Sequence, residues 1–225
     1  MITVVMLNWA RPHSAMKNLR AYSSYSIVKS VMCFNNGAPL QRASLSRKVV
    51  MIESSENLGV YPRMAVASLA TTDAIFHTDD DLLLPESSLA ALYAYWSASQ
   101  RNCHGLYGRT AYPTYRFGNV YGAVEVLLTR ALLCSRRINN FALSAIDRFE
   151  DLRGKPRGNG EDIILSFAGM ADSRALNVAY PLPARNLGGN DSVAIHKSWS
   201  GHLNHRHRVV ARCRRVFFGQ SVAVK

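Results

Sequence analysis

Three consecutive carboxylates, Asp79, Asp80 and Asp81, directly follow the apolar run Ala74–His77. Like charges a few ångströms apart raise one another's pKa unless a cation neutralises them. Carboxylate oxygens suit the hard ions Mg²⁺ and Mn²⁺, which keep open positions for water and phosphate, and a cation held this way can stabilise a departing diphosphate. The plainer reading is a solvated turn ahead of the helix that opens near Pro85. A second pair, Glu161-Asp162, begins a helical run to Met170; there the charges either complement the helix dipole or stand beside a reacting centre. Arg11 and Arg63 offer planar, bidentate donors to a diphosphate or a nucleobase edge, with surface solvation as the alternative. Asn8 and Asn35 can hydrogen-bond a base or ribose, Trp9 can stack on a base or pack in the core, and Asn36 suits a turn with Gly37. Arg109 follows a short strand and is expected to face a bound ligand.

These residues need a frame that brings them together. Ile2–Leu7, Val28–Phe34, Lys48–Ile52 and Ala74–His77 read as strands. Helices are expected from Pro12, with Met16, Leu19 and Tyr22 inward, and over Gly59–Ala70, with Val60, Met64, Ala67 and Leu69 inward. Strand and helix alternate through the first 80 or so residues, which predicts an α/β fold with a mainly parallel sheet flanked by helices. Right-handed crossovers align the carboxyl ends of such strands, where ligands of open α/β sheets sit. Asn8, Asn35 and the aspartates all follow strands and should converge there.

The second half is read as a helix over Pro85–Ser99 that buries Leu89, Leu92, Tyr93 and Trp96. Short alternating pieces follow over 103–133, then the helix at Glu161–Met170, a loop at Pro181–Asp191 and a basic helix at His202–Phe218. No composition shift marks a domain boundary, so one domain is expected, with residues 1–81 and 82–225 as its two halves.

Twenty-seven Lys and Arg against 15 Asp and Glu give a net charge of +12, which favours anionic partners without choosing among them. Apolar runs fall far short of the roughly 20 residues of a membrane helix, and no cationic segment precedes Ile2 to suggest a secretory signal. Cys33, Cys103, Cys134 and Cys213 are isolated and read as reduced thiols, which points to a cytoplasmic protein or one held peripherally at a membrane surface. The segment His202–Arg215 carries His202, His205, His207, Arg206, Arg208, Arg212, Arg214 and Arg215, as a basic solvated helix or a lid over a phosphate. Tyr-rich 107–121 and Trp199 form either core or an aromatic platform for a sugar.

Ile75-Phe-His-Thr-Asp-Asp-Asp-Leu82 resembles the D-x-D segment of the exostosin-type, family 64-like glycosyltransferases. Leu7-Asn-Trp-Ala-Arg11 resembles that family's first strand and its Tyr-Asn-Arg-like turn, and Phe34-Asn-Asn36 its Trp-Asn-Asn strand end. Arg63, 16 positions before Asp79, is similar to an arginine in the helix ahead of the D-x-D. Asn159-Gly-Glu-Asp-Ile163 resembles its Asn-Cys-(Glu/Asp)-Asp-Ile motif, and Trp199-Ser-Gly201 its closing Tyr-Ser-Gly. The matches run in order along nearly the whole chain. Gly160 stands where the relatives commonly have a cysteine, so a disulfide there is not expected.

The resemblance implies a GT-A fold, a UDP-sugar donor carrying N-acetylhexosamine, Mn²⁺ (or Mg²⁺), retention of anomeric configuration, and a glycan or lipid-linked acceptor. It implies Asp81 as metal ligand, Asp79 at the metal and near the ribose or sugar, and Asp80 in either role or orienting its neighbours. Asp162 is implied as the catalytic carboxylate, with Glu161 beside it. Arg212 best matches a phosphate-contacting arginine, with Arg206 second. The competing expectations are nucleic-acid binding by the basic C-terminal segment, an inactive carbohydrate-binding relative, and a metal-dependent phosphatase or nuclease, which usually needs more ligands than are visible. No specific nucleic-acid partner is expected.

Overall fold

The computed structural model describes residues 1–37, 39–99, 102–153, 159–188 and 199–219. The first half follows the alternation expected: β1 (Ile2–Asn8), α1 (Pro12–Ser24), β2 (Val28–Asn35), β3 (Val49–Glu53), α2 (Pro62–Ser68) and β4 (Ala74–Asp79). After it come β5 (Leu82–Leu83), α3 (Glu86–Ala98), β6 (His104–Gly105), β7 (Gly108–Arg109), β8 (Gly122–Val124), β9 (Val126–Leu127) and β10 (Ala131–Ser135). The chain continues through α4 (Arg136–Ser144), α5 (Glu150–Arg153), α6 (Glu161–Ser173), β11 (Asn177–Ala179), β12 (Arg185–Asn186) and α7 (His202–Phe218). Residues 189–191 of the expected loop lie outside the described residues.

An eight-stranded mixed sheet in the order β3-β2-β1-β4-β10-β6-β11-β8 organises the molecule. β1 to β4 are mutually parallel, and β10 enters antiparallel beside β4. Every residue of β1 is buried, as a strand covered on both faces requires, which is why it reads as an unbroken apolar run rather than an alternating one. One core packs Leu19 and Tyr22 of α1 with Leu89, Leu92 and Trp96 of α3 against Phe76. Another joins Met64, Ile138, Ile163 and Val209 from α2, α4, α6 and α7. This is the α/β architecture the sequence predicts, with β5 and β12, and β7 and β9, paired in two small sheets apart from the main one. No described helix is long and apolar enough to cross a membrane, and all four cysteines are free and buried.

Two helices bury faces that differ from those expected. In α2, Leu69 is 64% exposed while Arg63 is 3% exposed. Leu69 falls just past the end of a short helix, and Arg63 turns inward because carboxylates await it there. In α1, Asn18 is fully buried and Met16 only partly, again for a polar reason given below.

The first ten residues of α6 are all buried, an unusual situation for a helix that opens with Glu-Asp. Gly160 precedes it at φ +119°, and a Cβ there would meet Val209 of α7 at 3.0 and 3.1 Å. Glycine is therefore required both by the backbone and by the packing of α7. We predict that Gly160→Ala lowers the unfolding free energy by about 1–3 kcal/mol, read as a reduced urea midpoint; an unchanged midpoint would refute this account of the α6–α7 junction.

Candidate active site

Parallel pairing in register sets the strand-end amides side by side. Asn8 lies opposite Asn35, and Asn8 Nδ2 donates to Asn35 Oδ1 at 2.7 Å. The same oxygen accepts from the Gly37 N–H at 3.2 Å. A Cβ at 37 would stand 1.7 Å from the Trp9 carbonyl oxygen, so only glycine lets the two turns pass. Asn36 does more than form a turn: its side chain donates to Gly59 O and accepts from Leu58 N, binding the strand end to the segment before α2. Trp9 is 37% exposed at this edge, and Asn8 Oδ1 is buried without a hydrogen-bond partner.

The aspartate turn adjoins these amides, since Leu7 pairs with Asp79 across β1 and β4. Its backbone is clamped from α1: Asn18 Nδ2 lies 3.3, 2.9 and 3.1 Å from the carbonyl oxygens of Asp79, Asp80 and Leu82. The Tyr22 hydroxyl donates to Leu82 O and accepts from Leu84 N. The three carboxylates then part company. Asp79 Oδ1 accepts from Arg63 Nη2 at 2.8 Å. Asp80 Oδ1 accepts from Arg11 Nη1 at 3.1 Å. Asp81 has only longer cationic neighbours, Arg11 Nη1 at 3.5 Å and Arg130 Nε at 3.7 Å, and its Oδ1 is buried with no hydrogen bond.

The electrostatics of the turn follow from this crowding. Burial pushes the Asp80 carboxyl up to about 7 against the opposing pull of Arg11. Burial and then the Asp79 charge raise Asp81. Burial, more than the neighbouring charges, makes the ionised form of these carboxyls costly. No group of three or more His, Cys, Asp or Glu among the described residues forms a closed ligand set. A hard cation that keeps its waters and phosphate oxygens needs only one or two carboxylates, and the open oxygen of Asp81 suits that arrangement.

Arg63 extends the turn into the second half of the chain. Its Nη1 donates to Thr129 O at 3.1 Å, and its Nε stands 3.8 Å from Glu161 Oε1. Glu161 Oε1 in turn accepts from the Thr129 hydroxyl at 2.8 Å. Burial, followed by the Asp162 charge, raises the Glu161 pKa. For Arg63, burial works to lower the pKa, but the Asp79 and Glu161 charges outweigh it and hold the group above its usual value. His77, on β4, is fully buried and held neutral, its pKa lowered to about 3 first by burial and then by Arg63.

Asp162 has its own arginine. Arg206 of α7 donates to Asp162 Oδ2 at 2.5 Å and to Asn159 Oδ1 at 3.0 Å, with its guanidinium 4.4 Å from the centre of the Tyr115 ring. Asp162 Oδ1 is buried without a partner. His205, one residue away, hydrogen-bonds Asn159 O at 2.7 Å through Nε2.

Of the two C-terminal arginines weighed from sequence, Arg206 is therefore the one at the second carboxylate pair. Arg212 forms a bidentate pair with Asp151, at 3.0 and 2.9 Å, and donates to Arg148 O. Six residues along a helix of about 3.6 per turn carry it roughly 120° around α7 from Arg206. Arg109 donates to Gly108 O and to Asn119. Arg63, expected at a ligand's edge or in solvent, has two of its donors on Asp79 and Thr129, below the site.

Sequence reasoning passed over Asn18, Thr129 and Arg130, and took Tyr115 only as part of the Tyr-rich segment 107–121. Asn18 carried a signal, since a polar residue interrupts the inward face of α1 one position before Leu19. The turn Leu128-Thr129-Arg130 carried none, because only the antiparallel insertion of β10 beside β4 brings it to the aspartates; Thr78 Oγ1 donates to Arg130 O at 3.2 Å.

Removing Arg63 leaves two carboxylates without their buried counter-charge. We expect Arg63→Met to cost about 1.5–3 kcal/mol of stability, the range for hydrogen bonds to charged groups, because Glu161 is buried while Asp79 is 38% exposed, whereas Arg212→Ala, at a partly exposed pair, should cost about 1 kcal/mol or less. Chemical denaturation of the two variants checks this, and equal small losses would refute the structural role given to Arg63.

No curated protein shows significant similarity to the chain. The model of the glycosyl transferase family 64 domain matches residues 2–222. That span contains both carboxylate clusters and every strand of the sheet, and the chain belongs to glycosyl transferase family 64.

Proposed function

We propose that this glycosyltransferase moves a single sugar, N-acetylhexosamine in the first instance, from a UDP-sugar to a glycan or lipid-linked acceptor with retention of configuration. The observation that carries this reading is the unequal partnering of the aspartate turn: Arg63 engages Asp79, Arg11 engages Asp80, and Asp81 keeps a buried oxygen without a hydrogen bond. Asp81, with the remaining oxygen of Asp79, would hold Mn²⁺ or Mg²⁺, which when bound withdraws charge from the departing diphosphate.

The rest of the proposal concerns the chain's own groups. Asn8 and Asn35 with Trp9 receive the nucleoside, the uncommitted Asn8 Oδ1 accepting a base or ribose proton. Arg11 lies between Asp80 and Asp81 and serves the diphosphate. Arg206 orients Asp162 through Oδ2, leaving Oδ1 to stabilise positive charge developing at the anomeric carbon. A carboxylate so used serves a retaining route through a covalent intermediate or an ion pair. Glu161, locked to Thr129 and near Arg63, steadies the helix start that carries Asp162. Arg109, tied to Asn119, borders the acceptor side. Nucleic-acid binding is less well supported, because Arg206, Arg212 and Arg214 of α7 donate to Asp162, Asp151 and the Ala111 carbonyl rather than forming one solvated strip.

Calorimetric titration of nucleotides and nucleotide sugars, with and without Mn²⁺, tests the proposal. Metal-dependent binding of UDP or a UDP-sugar is expected, and its complete absence would overturn the reading. Asp81→Ala should abolish turnover together with the metal-assisted part of donor binding; full activity in that variant would contradict the metal assignment. Asp162→Asn should lose transfer by about two or more orders of magnitude while donor binding persists, as expected for a group acting in the transition state. Lost donor binding with transfer intact at saturating donor would remove Asp162 from its catalytic role.

A further inference from the structure

Arg130 has no part in the sequence motifs, yet it lies against the open carboxylate of the turn. Its Nε stands 3.7 Å from Asp81 Oδ1, while its guanidinium lies 5.2 Å from the centre of the Tyr107 ring. The backbone beneath it is fixed, since Arg130 O accepts from Thr78 and the neighbouring Thr129 O accepts from Arg63. The side chain itself is 29% exposed, so it is anchored at the root and movable at the head. At 3.7 Å the contact is an attraction between charges without a good hydrogen bond. Arg11 relates to Asp81 similarly at 3.5 Å, but its closer bond is to Asp80. Arg130 is thus the cation with the least to lose by leaving Asp81.

Resting on the metal-and-diphosphate reading above, we propose that Arg130 is an exchangeable counter-cation. It neutralises Asp81 when the site is empty of metal, gives way when a divalent cation takes that carboxylate, and then directs its freed guanidinium at the diphosphate. The arrangement couples the two ligands. The cation must compete with Arg130 for Asp81, and the diphosphate gains a planar bidentate donor once the competition is won. Such coupling is reciprocal: the factor by which the diphosphate improves cation binding equals the factor by which the cation improves diphosphate binding. Tyr107 supplies the pivot, its ring holding the guanidinium close to the turn in both positions.

The experiment measures Mn²⁺ binding alone by the loss of the free-ion paramagnetic resonance signal, and UDP binding with and without Mn²⁺ by calorimetry. The proteins are the wild type, Arg130→Met and Arg130→Lys, each checked for native circular dichroism. In Arg130→Met, Mn²⁺ alone should bind roughly two- to fivefold tighter, the range for removing one partly exposed competing charge. UDP in the presence of Mn²⁺ should bind about tenfold weaker or more, for one lost charge-assisted contact, and the coupling factor should fall accordingly. Arg130→Lys, which keeps the charge but not the planar fork, should restore the wild-type affinity for Mn²⁺ alone and only part of the UDP affinity. A purely structural role would weaken both ligands together. Unchanged or weaker Mn²⁺ binding in Arg130→Met, or an unchanged coupling factor, would overturn the proposal. If the wild type binds neither Mn²⁺ nor UDP, the transferase site reading above falls, and this inference with it.

Discussion

Arg63 sits beneath the site with 3% of its side chain exposed, donating to Asp79 and Thr129 and standing within attraction of Glu161. A guanidinium this deep persists only where carboxylates and carbonyls satisfy it, because an isolated buried charge carries a desolvation cost of several kcal/mol. The requirement runs in both directions. Asp79 ends the fourth parallel strand and Glu161 opens the buried helix α6, and Arg63 is a cation that both of them face. The two halves of the chain, distant in sequence, are thus joined at the site by an interaction whose loss leaves charges stranded in the core.

Much of the neighbouring geometry answers the same constraint. Asn18 and Tyr22 of α1 hold the carbonyls that the aspartate turn presents; without them, peptide groups at a buried strand end would lack partners. α7 lies against α6 at a junction with no room for a side chain at Gly160, which lets Arg206 reach Asp162. Two arginine–carboxylate links, Arg63 with Asp79 and Arg206 with Asp162, therefore tie down the two carboxylate clusters. Asp81 and Asp162 each keep one buried carboxylate oxygen without a hydrogen bond. Among the buried polar atoms without a hydrogen bond, these two are carboxylate oxygens, the kind that a ligand's positive charge would satisfy.

The basic character of the chain takes on a more specific meaning in this light. Several of the arginines counted in the net charge are internal partners of carboxylates and carbonyls rather than a field for a polyanion. Arg212 and Arg214, which look like a continuous basic surface in sequence, fasten α7 to Asp151 and to the carbonyls of the 111–113 segment. Arg11 and Arg130 stand apart, being partly exposed and facing the carboxylates of the aspartate turn.

The sequence by itself determined the parallel half of the sheet and the convergence of Asn8, Asn35 and Asp79–Asp81 at its carboxyl edge. Those features rest on local signals: apolar runs of strand length, Pro12 at a helix start, turn residues after each strand, and the fixed geometry of parallel crossovers. The span of α7 was equally legible from its pattern. Only the tertiary structure decided which arginine belongs to which carboxylate. The match to the family's phosphate-contacting arginine singled out Arg212 ahead of Arg206 without bearing on their carboxylate partners, and the Leu128–Arg130 turn was invisible, because a cation's partner is set by elements that meet in space and by which side chains are buried enough for the charge to matter. The inward turn of Arg63, at the expense of Leu69, has the same cause: helical spacing ranks residues by hydropathy, whereas a buried carboxylate outweighs hydropathy by demanding a counter-charge at one particular place.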